Sequence, residues 1–68
     1  MVLIINHQLT NFAFPINNLE ELMHLELKGK TNGVAIALNN QVIPRNSWSV
    51  TPLADNDSIL IITATQGG

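Results

Sequence analysis

The sequence contains no cysteine. Neither a disulfide framework nor a cysteine-based zinc or iron–sulfur site can therefore stabilise the fold. The 68 residues are enough for one domain, and a chain of this length buries only about 60% of the surface that its unfolded state exposes. The stability of the fold must come from the apolar residues, which make up 46% of the chain.

Basic residues and long hydrophobic runs are also scarce. Lys28, Lys30 and Arg45 stand against five acidic residues, and the formal net charge is −2. No basic stripe could neutralise a phosphate backbone, so nucleic-acid binding is not expected. The N-terminal segment has no basic region of the kind that opens a signal peptide, and no apolar run approaches the roughly 20 residues of a membrane helix. We expect a soluble, intracellular protein.

Residues that could carry catalysis are few and poorly arranged. His7 and His24 are 17 positions apart without a His-x-x-x-His spacing, which indicates a turn histidine and a surface helix histidine rather than metal ligands. The acidic residues lie at a predicted helix start and in a predicted turn, where capping and solvation explain them. The serines lack a base, and "GKTNG" lacks the spacing of a phosphate loop. We predict no metal site and no enzyme, but a carrier or binding module on which other proteins act.

Two strands and a helix are predicted in the first half of the chain. "VLIIN" and "LTNFAFPI" are strand candidates, with Phe12, Phe14 and Ile16 on one face of the second, and the polar "NHQ" between them suggests a hairpin turn. Apolar residues then recur at near-helical spacing: Leu19, Leu22, Met23 and Leu27. Asn18 is the expected N-cap, with Glu21 in a capping-box position, and Gly29 can end the helix.

The second half predicts a hairpin and a last strand. "VAIAL" and "QVIP" flank Asn39-Asn40, a pair that tolerates positive φ, and Pro44 limits the second of these strands to an edge or marks its end. "LADNDS" is a turn. The apolar run "ILIIT", like "VLII", shows no alternation, so both strands are predicted to be buried on both faces and to lie side by side at the sheet centre. This order is that of an α+β β-grasp (ubiquitin-like) domain at 1–65, with a mixed four- to five-stranded sheet covered on one face by one helix.

The chain ends in "QGG", which we interpret as a flexible tail at 66–68. Glycine has no side chain, so such a tail can thread a narrow channel and bring its carboxylate close to the reacting atoms of another protein. A free carboxylate is a poor electrophile, and its use requires activation, most simply as an acyl-adenylate in a partner that binds ATP. The alternative is a frayed terminus without function.

Residues 34–68 resemble the sulfur carrier family of thiamine biosynthesis in bacteria and plastids, which has a ubiquitin-like β-grasp fold. The motifs are the hairpin at Asn39, "VIPR" with Trp48 three residues after Arg45, "PLADND" and the terminal "GG". The first half matches only in the order of its elements. The family often has glycine at positions 40 and 56; the asparagines here can also adopt positive φ, so the turns should persist.

The resemblance implies a mechanism and partners. The carboxylate of Gly68 would be adenylated by a ubiquitin-activating-type enzyme that uses ATP and Mg, and then converted to a thiocarboxylate with sulfur from a cysteine desulfurase. Thiazole synthase would take the sulfur, and Gly67 would give the tail its flexibility. The protein itself would bind no cofactor, and its compartment would be the bacterial cytoplasm or the plastid.

The sequence leaves open the role of two residues of the motif and the pathway that the protein serves. Arg45 and Trp48 could serve partner docking or folding, although a lone tryptophan is more often a core residue. A partner face is expected on the exposed side of the sheet near the tail. The alternatives are a carrier of another pathway, such as the small subunit of molybdopterin synthase, a protein modifier, or an interaction module that never uses its carboxylate. The chain lacks a proline-rich stretch before "GG", which argues against the small subunit of molybdopterin synthase.

Overall fold

The computed structural model of the chain describes residues 1–27 and 33–63. Its elements are, in order, β1 (Val2–Ile5), β2 (Gln8–Asn11), α1 (Leu19–Leu27), β3 (Val34–Leu38), β4 (Gln41–Ile43), a 3-10 helix (Arg45–Val50) and β5 (Ser58–Thr63). Across these described ranges, no helix is long and apolar enough to cross a membrane.

The strands form one mixed sheet in the order β2-β1-β5-β3-β4. β5 pairs parallel with β1 and antiparallel with β3, while β1–β2 and β3–β4 are antiparallel hairpins. The predicted β-grasp fold is confirmed, with the first and last strands side by side at the centre of five strands. The parallel pair is possible because the chain crosses from one hairpin to the other by way of α1.

Both hairpins close through two-residue turns that need positive φ at both central positions. Asn6 and His7 have φ of 50° and 68°, and Asn39 and Asn40 have φ of 49° and 70°. These are values of the left-handed region, which asparagine tolerates better than most residues. The turns predicted from "NHQ" and from Asn39-Asn40 are therefore confirmed.

The start of α1 is capped by side chains. Asn18 Oδ1 accepts a hydrogen bond of 2.8 Å from the Glu21 backbone N–H, which confirms Asn18 as the N-cap. The Glu21 carboxylate reaches back one residue further than a capping box requires: it accepts from the backbone N–H and side-chain amide of Asn17, at 3.4 and 3.3 Å. The predicted helix stop at Gly29 lies outside the described residues.

The hydrophobic core lies between α1 and one face of the sheet. Its buried members are Leu3, Ile5, Ile16, Leu19, Leu22, Met23, Ile36, Trp48 and Ile59. Full burial of an aliphatic side chain stabilises a fold by about 1.5–3 kcal/mol. A small set of such residues therefore supplies most of the stabilisation that opposes the chain's conformational entropy.

The prediction that β1 and β5 are buried on both faces was wrong. In β5, Ile59 is buried, but Leu60 and Ile62 on the opposite side are 38% and 52% exposed. In β1 only the alternate residues Leu3 and Ile5 are buried. The domain has a single α-helix among its described residues, and that helix covers one face; the other face of a central strand is left with no layer above it.

The predicted second strand was too long. β2 ends at Asn11, and the three apolar residues beyond it do not share one environment: Phe12 is half-buried, Phe14 is exposed and Ile16 is buried in the core. Pro15 lies within this stretch, where it has no N–H to donate to a ladder. The alternation of Phe12, Phe14 and Ile16 therefore reflects a connection towards α1, not a strand.

The 3-10 helix was not anticipated from the sequence, and Trp48 holds it to the core. The indole is only 2% exposed, and its Nε1–H donates a 3.0 Å hydrogen bond to the carbonyl oxygen of Ile43 at the end of β4. The segment that follows runs along the start of α1, where Leu19 N–H donates to Thr51 O at 3.1 Å. One aromatic side chain thus joins the β4 end of the sheet to the helix layer.

We predict that Trp48→Phe lowers the free energy of unfolding by about 2 kcal/mol, because it leaves the Ile43 carbonyl without its donor and the site underfilled. Urea unfolding followed by far-ultraviolet circular dichroism measures this. The control is Val50→Ala, at an exposed position of the same 3-10 helix, with an expected change within about 0.5 kcal/mol. Equal urea midpoints for the two variants would show that the indole does not anchor this segment.

Candidate functional site

The sheet face opposite α1 carries a continuous set of apolar side chains. Cross-strand partners in a sheet point to the same side, and the register pairs Ile4 with Leu9, Leu60 with Ala37, Ile62 with Ala35, and Val42 with Ala37. We call this set the open face: Ile4, Leu9, Ala35, Ala37, Val42, Leu60 and Ile62. Leu9 and Val42, towards the two edges, are 73% and 71% exposed.

The open face has no charge of its own. None of the five strands contains Asp, Glu, Lys or Arg. Ala35 and Ala37 put short side chains beside the larger Leu60 and Ile62. Exposed apolar surface without charged residues resembles the centre of a protein–protein interface, from which charged groups are depleted. This face is therefore suited to contact with another protein.

β5 connects the open face with the C-terminal tail. It carries Leu60 and Ile62 and ends at Thr63, which is in register with Val34 of β3. The sequence-predicted site residues Gly67 and Gly68, and the division between domain and tail, lie outside the described residues. Gly68 follows Thr63 by five residues, a length of chain that spans up to about 17 Å when extended.

The "PLADND" turn fixes the start of β5. Asn39 joins it from the β3–β4 hairpin: its Nδ2 donates to Asp57 Oδ1 at 3.1 Å, and its Oδ1 accepts from Ser58 N–H at 2.9 Å. The other oxygen of Asp57 accepts from Ala54 N–H at 2.8 Å, and Asn56 has φ of 71°. The asparagine and aspartate of these motifs therefore hold the strand that leads to the tail.

Arg45 lies against Trp48, which belongs to the core on the α1 side of the sheet. The Arg45 guanidinium carbon is 5.7 Å from the centroid of the Trp48 ring, within cation–π range. Trp48 is a core residue, whereas Arg45 is exposed. The structure brings these two residues to each other, and it places Trp48 in the core rather than on the open face.

The two histidines lie in separate elements of the fold. His7 lies in the β1–β2 turn and His24 is exposed on α1. Within residues 1–27 and 33–63, no group of three His, Cys, Asp or Glu side chains could hold a metal ion.

The chain matches the ThiS family over residues 3–68. A segment of 43 residues is 35% identical to the sulfur carrier protein ThiS of Escherichia coli strain K12. That segment covers 63% of this chain and 65% of the Escherichia coli protein.

A solved structure gives the same fold. The crystal structure of the thiamine biosynthesis protein ThiS from Geobacter metallireducens matches with a TM-score of 0.85 over 100% of both chains, at 23% sequence identity. Similarity at this level of identity supports the β-grasp architecture described above.

We predict that Asn39→Gly lowers the free energy of unfolding by about 1–2 kcal/mol, because glycine keeps the positive φ and loses the side-chain bonds to Asp57 and Ser58. Thermal and urea unfolding measure this loss. Asn40→Gly is the matched control, at the second position of the same turn, and should change stability by less than about 0.5 kcal/mol. If both variants lose the same stability, the side-chain bonds of Asn39 do not secure β5.

Proposed function

The chain belongs to the ThiS family, and we propose from this that it is a sulfur carrier in thiamine biosynthesis. The observation that supports a carrier most directly is β5, a single strand that contributes to the uncharged open face and leads within five residues to the Gly-Gly end. A protein with this layout can be held by its surface while its terminal carboxylate enters the active site of a partner.

The chemistry takes place on the carboxylate of Gly68. In a ubiquitin-activating-type partner that binds ATP and Mg, a carboxylate oxygen attacks the α-phosphorus, forms an acyl-adenylate and releases pyrophosphate. A sulfur nucleophile at the oxidation level of hydrosulfide then attacks the carbonyl carbon and expels AMP. The product is a thiocarboxylate. Its sulfur comes from cysteine as the outer sulfur of a desulfurase persulfide, which a dithiol reductant brings to the hydrosulfide level while being oxidised to a disulfide.

The thiocarboxylate sulfur is the cargo. Sulfur is a good nucleophile, and thiazole synthase accepts it while the thiazole ring of thiamine is assembled. No step requires a catalytic side chain from the carrier. Its own contribution is to present a terminus with no Cβ at Gly67 or Gly68, so that neither residue obstructs a narrow active-site channel.

The open face is the surface by which the partners hold the domain. Burial of Leu60 and Ile62 removes apolar area from water, at about 25 cal/mol for each Å². No charged strand residue has to be desolvated in the process. Trp48 is buried in the core on the other side of the sheet, so in this arrangement it contributes through folding.

The first test is an intact-mass measurement of sulfur loading with a purified activating enzyme, ATP and a cysteine-based sulfur source. We predict that the wild-type chain and Gln66→Ala gain the mass of one oxygen exchanged for sulfur, only when ATP is present. Gly68→Val should load at least about tenfold more slowly, which corresponds to roughly 1.4 kcal/mol in the barrier, because its side chain crowds the reacting carbonyl.

Thiazole formation by thiazole synthase with the loaded chain then distinguishes thiamine biosynthesis from another sulfur pathway. Equal loading of Gly68→Val and wild type would argue against the terminal carboxylate as the reacting group. A wild-type chain that never loads, while a known carrier loads in the same mixture, would favour a plain interaction module.

The second test concerns docking. We predict that Ile62→Lys weakens binding to the activating enzyme by about tenfold in Kd, because it places a charge in the interface. Leu25→Lys is the control, since Leu25 is also an exposed apolar residue but lies on α1. Isothermal titration calorimetry gives both values. Equal affinities of the two variants would place the docking surface elsewhere.

A further inference from the structure

Asn6 makes two hydrogen bonds to β5, and they fall two residues apart. Its backbone N–H donates to the carbonyl oxygen of Ile59 at 2.9 Å. Its side-chain Oδ1 accepts from the backbone N–H of Ile61 at 2.7 Å. Asn6 is the residue directly after β1, and the first central residue of the β1–β2 turn.

The side chain of Asn6 takes the place of a backbone carbonyl group of a neighbouring strand. Along the parallel β1–β5 pair, the N–H groups of Ile4 and Asn6 donate to the carbonyl groups of Asp57 and Ile59 in turn. In a regular ladder the next donor, Ile61 N–H, would find a backbone carbonyl of the chain continuing from β1. The positive φ of Asn6 and His7 instead turns the chain back into β2, and the amide oxygen of Asn6 fills the position.

We propose that Asn6 is a positioning residue for the C-terminal tail. On the β3 side, β5 remains in register up to Thr63. On the β1 side, the Asn6 side chain extends the attachment of β5 from Ile59 to Ile61, which is one further step towards the tail. Asn6 thereby fixes the direction of β5 at Ile61, close to the end of the strand at Thr63.

This inference rests on the proposed function, because direction matters only if the tail must reach an active site while the domain is docked. With Asn6 in place, a partner that binds the open face meets a tail whose origin is held on both sides. Loss of the side-chain bond loosens that origin without altering the open face. The cost should appear in the rate of the reaction at Gly68 and not in docking.

Three variants separate the hydrogen bond from the turn. Asn6→Gly keeps the positive φ and removes the acceptor, whereas Asn6→Asp keeps an acceptor oxygen and tolerates the same φ. Asn40→Gly makes the same substitution in the β3–β4 turn and serves as the control. In amide hydrogen exchange we expect Ile61 to exchange about fivefold faster in Asn6→Gly than in the wild type. It should be unchanged in Asn6→Asp and Asn40→Gly.

The same variants are compared in ATP-dependent adenylation by the activating enzyme. We expect Asn6→Gly to lower kcat about three- to tenfold with KM unchanged, and Asn6→Asp to restore it. A solely structural role would lower the melting temperature and leave kcat intact at temperatures well below unfolding. Faster Ile61 exchange with an unchanged kcat would therefore overturn the positioning role.

A measurement on the wild-type chain needs no variant. Scalar coupling across the hydrogen bond, between the Ile61 amide nitrogen and the Asn6 side-chain carbonyl carbon, should be detectable by nuclear magnetic resonance. Absence of both the coupling and the exchange difference would overturn the inference whatever the chain does with sulfur. Conversely, a wild-type chain that shows the coupling but is never adenylated would refute the proposed function, and with it the role of Asn6 in that reaction.

Discussion

The parallel pairing of β1 with β5 is the contact on which the rest of the domain depends. It brings together Ile4 and Ser58, residues from opposite ends of the sequence, so the whole intervening chain must close as a loop before the pair can form. In return, Leu3, Ile5 and Ile59 come to lie under α1 as neighbours in the core. The two hairpins are attached to this pair on either side, and the crossover between them is what places the helix over the sheet.

The second constraint is that the described residues form a single α-helix. One helix covers one face, and this leaves the apolar residues of the central strand exposed on the other face at Leu60 and Ile62. The charged residues of the described chain lie in α1, the 3-10 helix and the turn before β5. A chain this small therefore folds with an exposed apolar face that its own helix does not cover. The same strand that completes the core also leads to the tail, so stability and the proposed function depend on the same residues.

Local sequence signals were sufficient to predict much of this fold. The cap at Asn18 and the positive φ at Asn39 and Asn40 follow from side-chain chemistry within a few residues, and the order of elements identified the β-grasp. The exposed side of β5 could not be derived in that way, because an apolar run does not reveal whether its second face is covered by the chain itself or by a partner. The hydrogen bond between Asn6 and Ile61 could not be predicted from the sequence either, because it forms only after the first and last strands have paired. The residues of the 3-10 helix show no hydrophobic periodicity from which a helix could be predicted. Arg45 and Trp48 were identified only through the resemblance to the sulfur carrier family.

The place of β5 in the sheet has a consequence for synthesis on the ribosome. Among the described strands, β5 comes latest in the sequence and is the only one that pairs with both hairpins, since β1–β2 and β3–β4 share no ladder. Chains emerge at about 5–20 residues per second, so until β5 is released the earlier elements have no common sheet and no finished core. A nascent or truncated chain without this strand lacks the pairing that joins the two hairpins. Assembly of the five described strands into one sheet therefore waits for translation through β5.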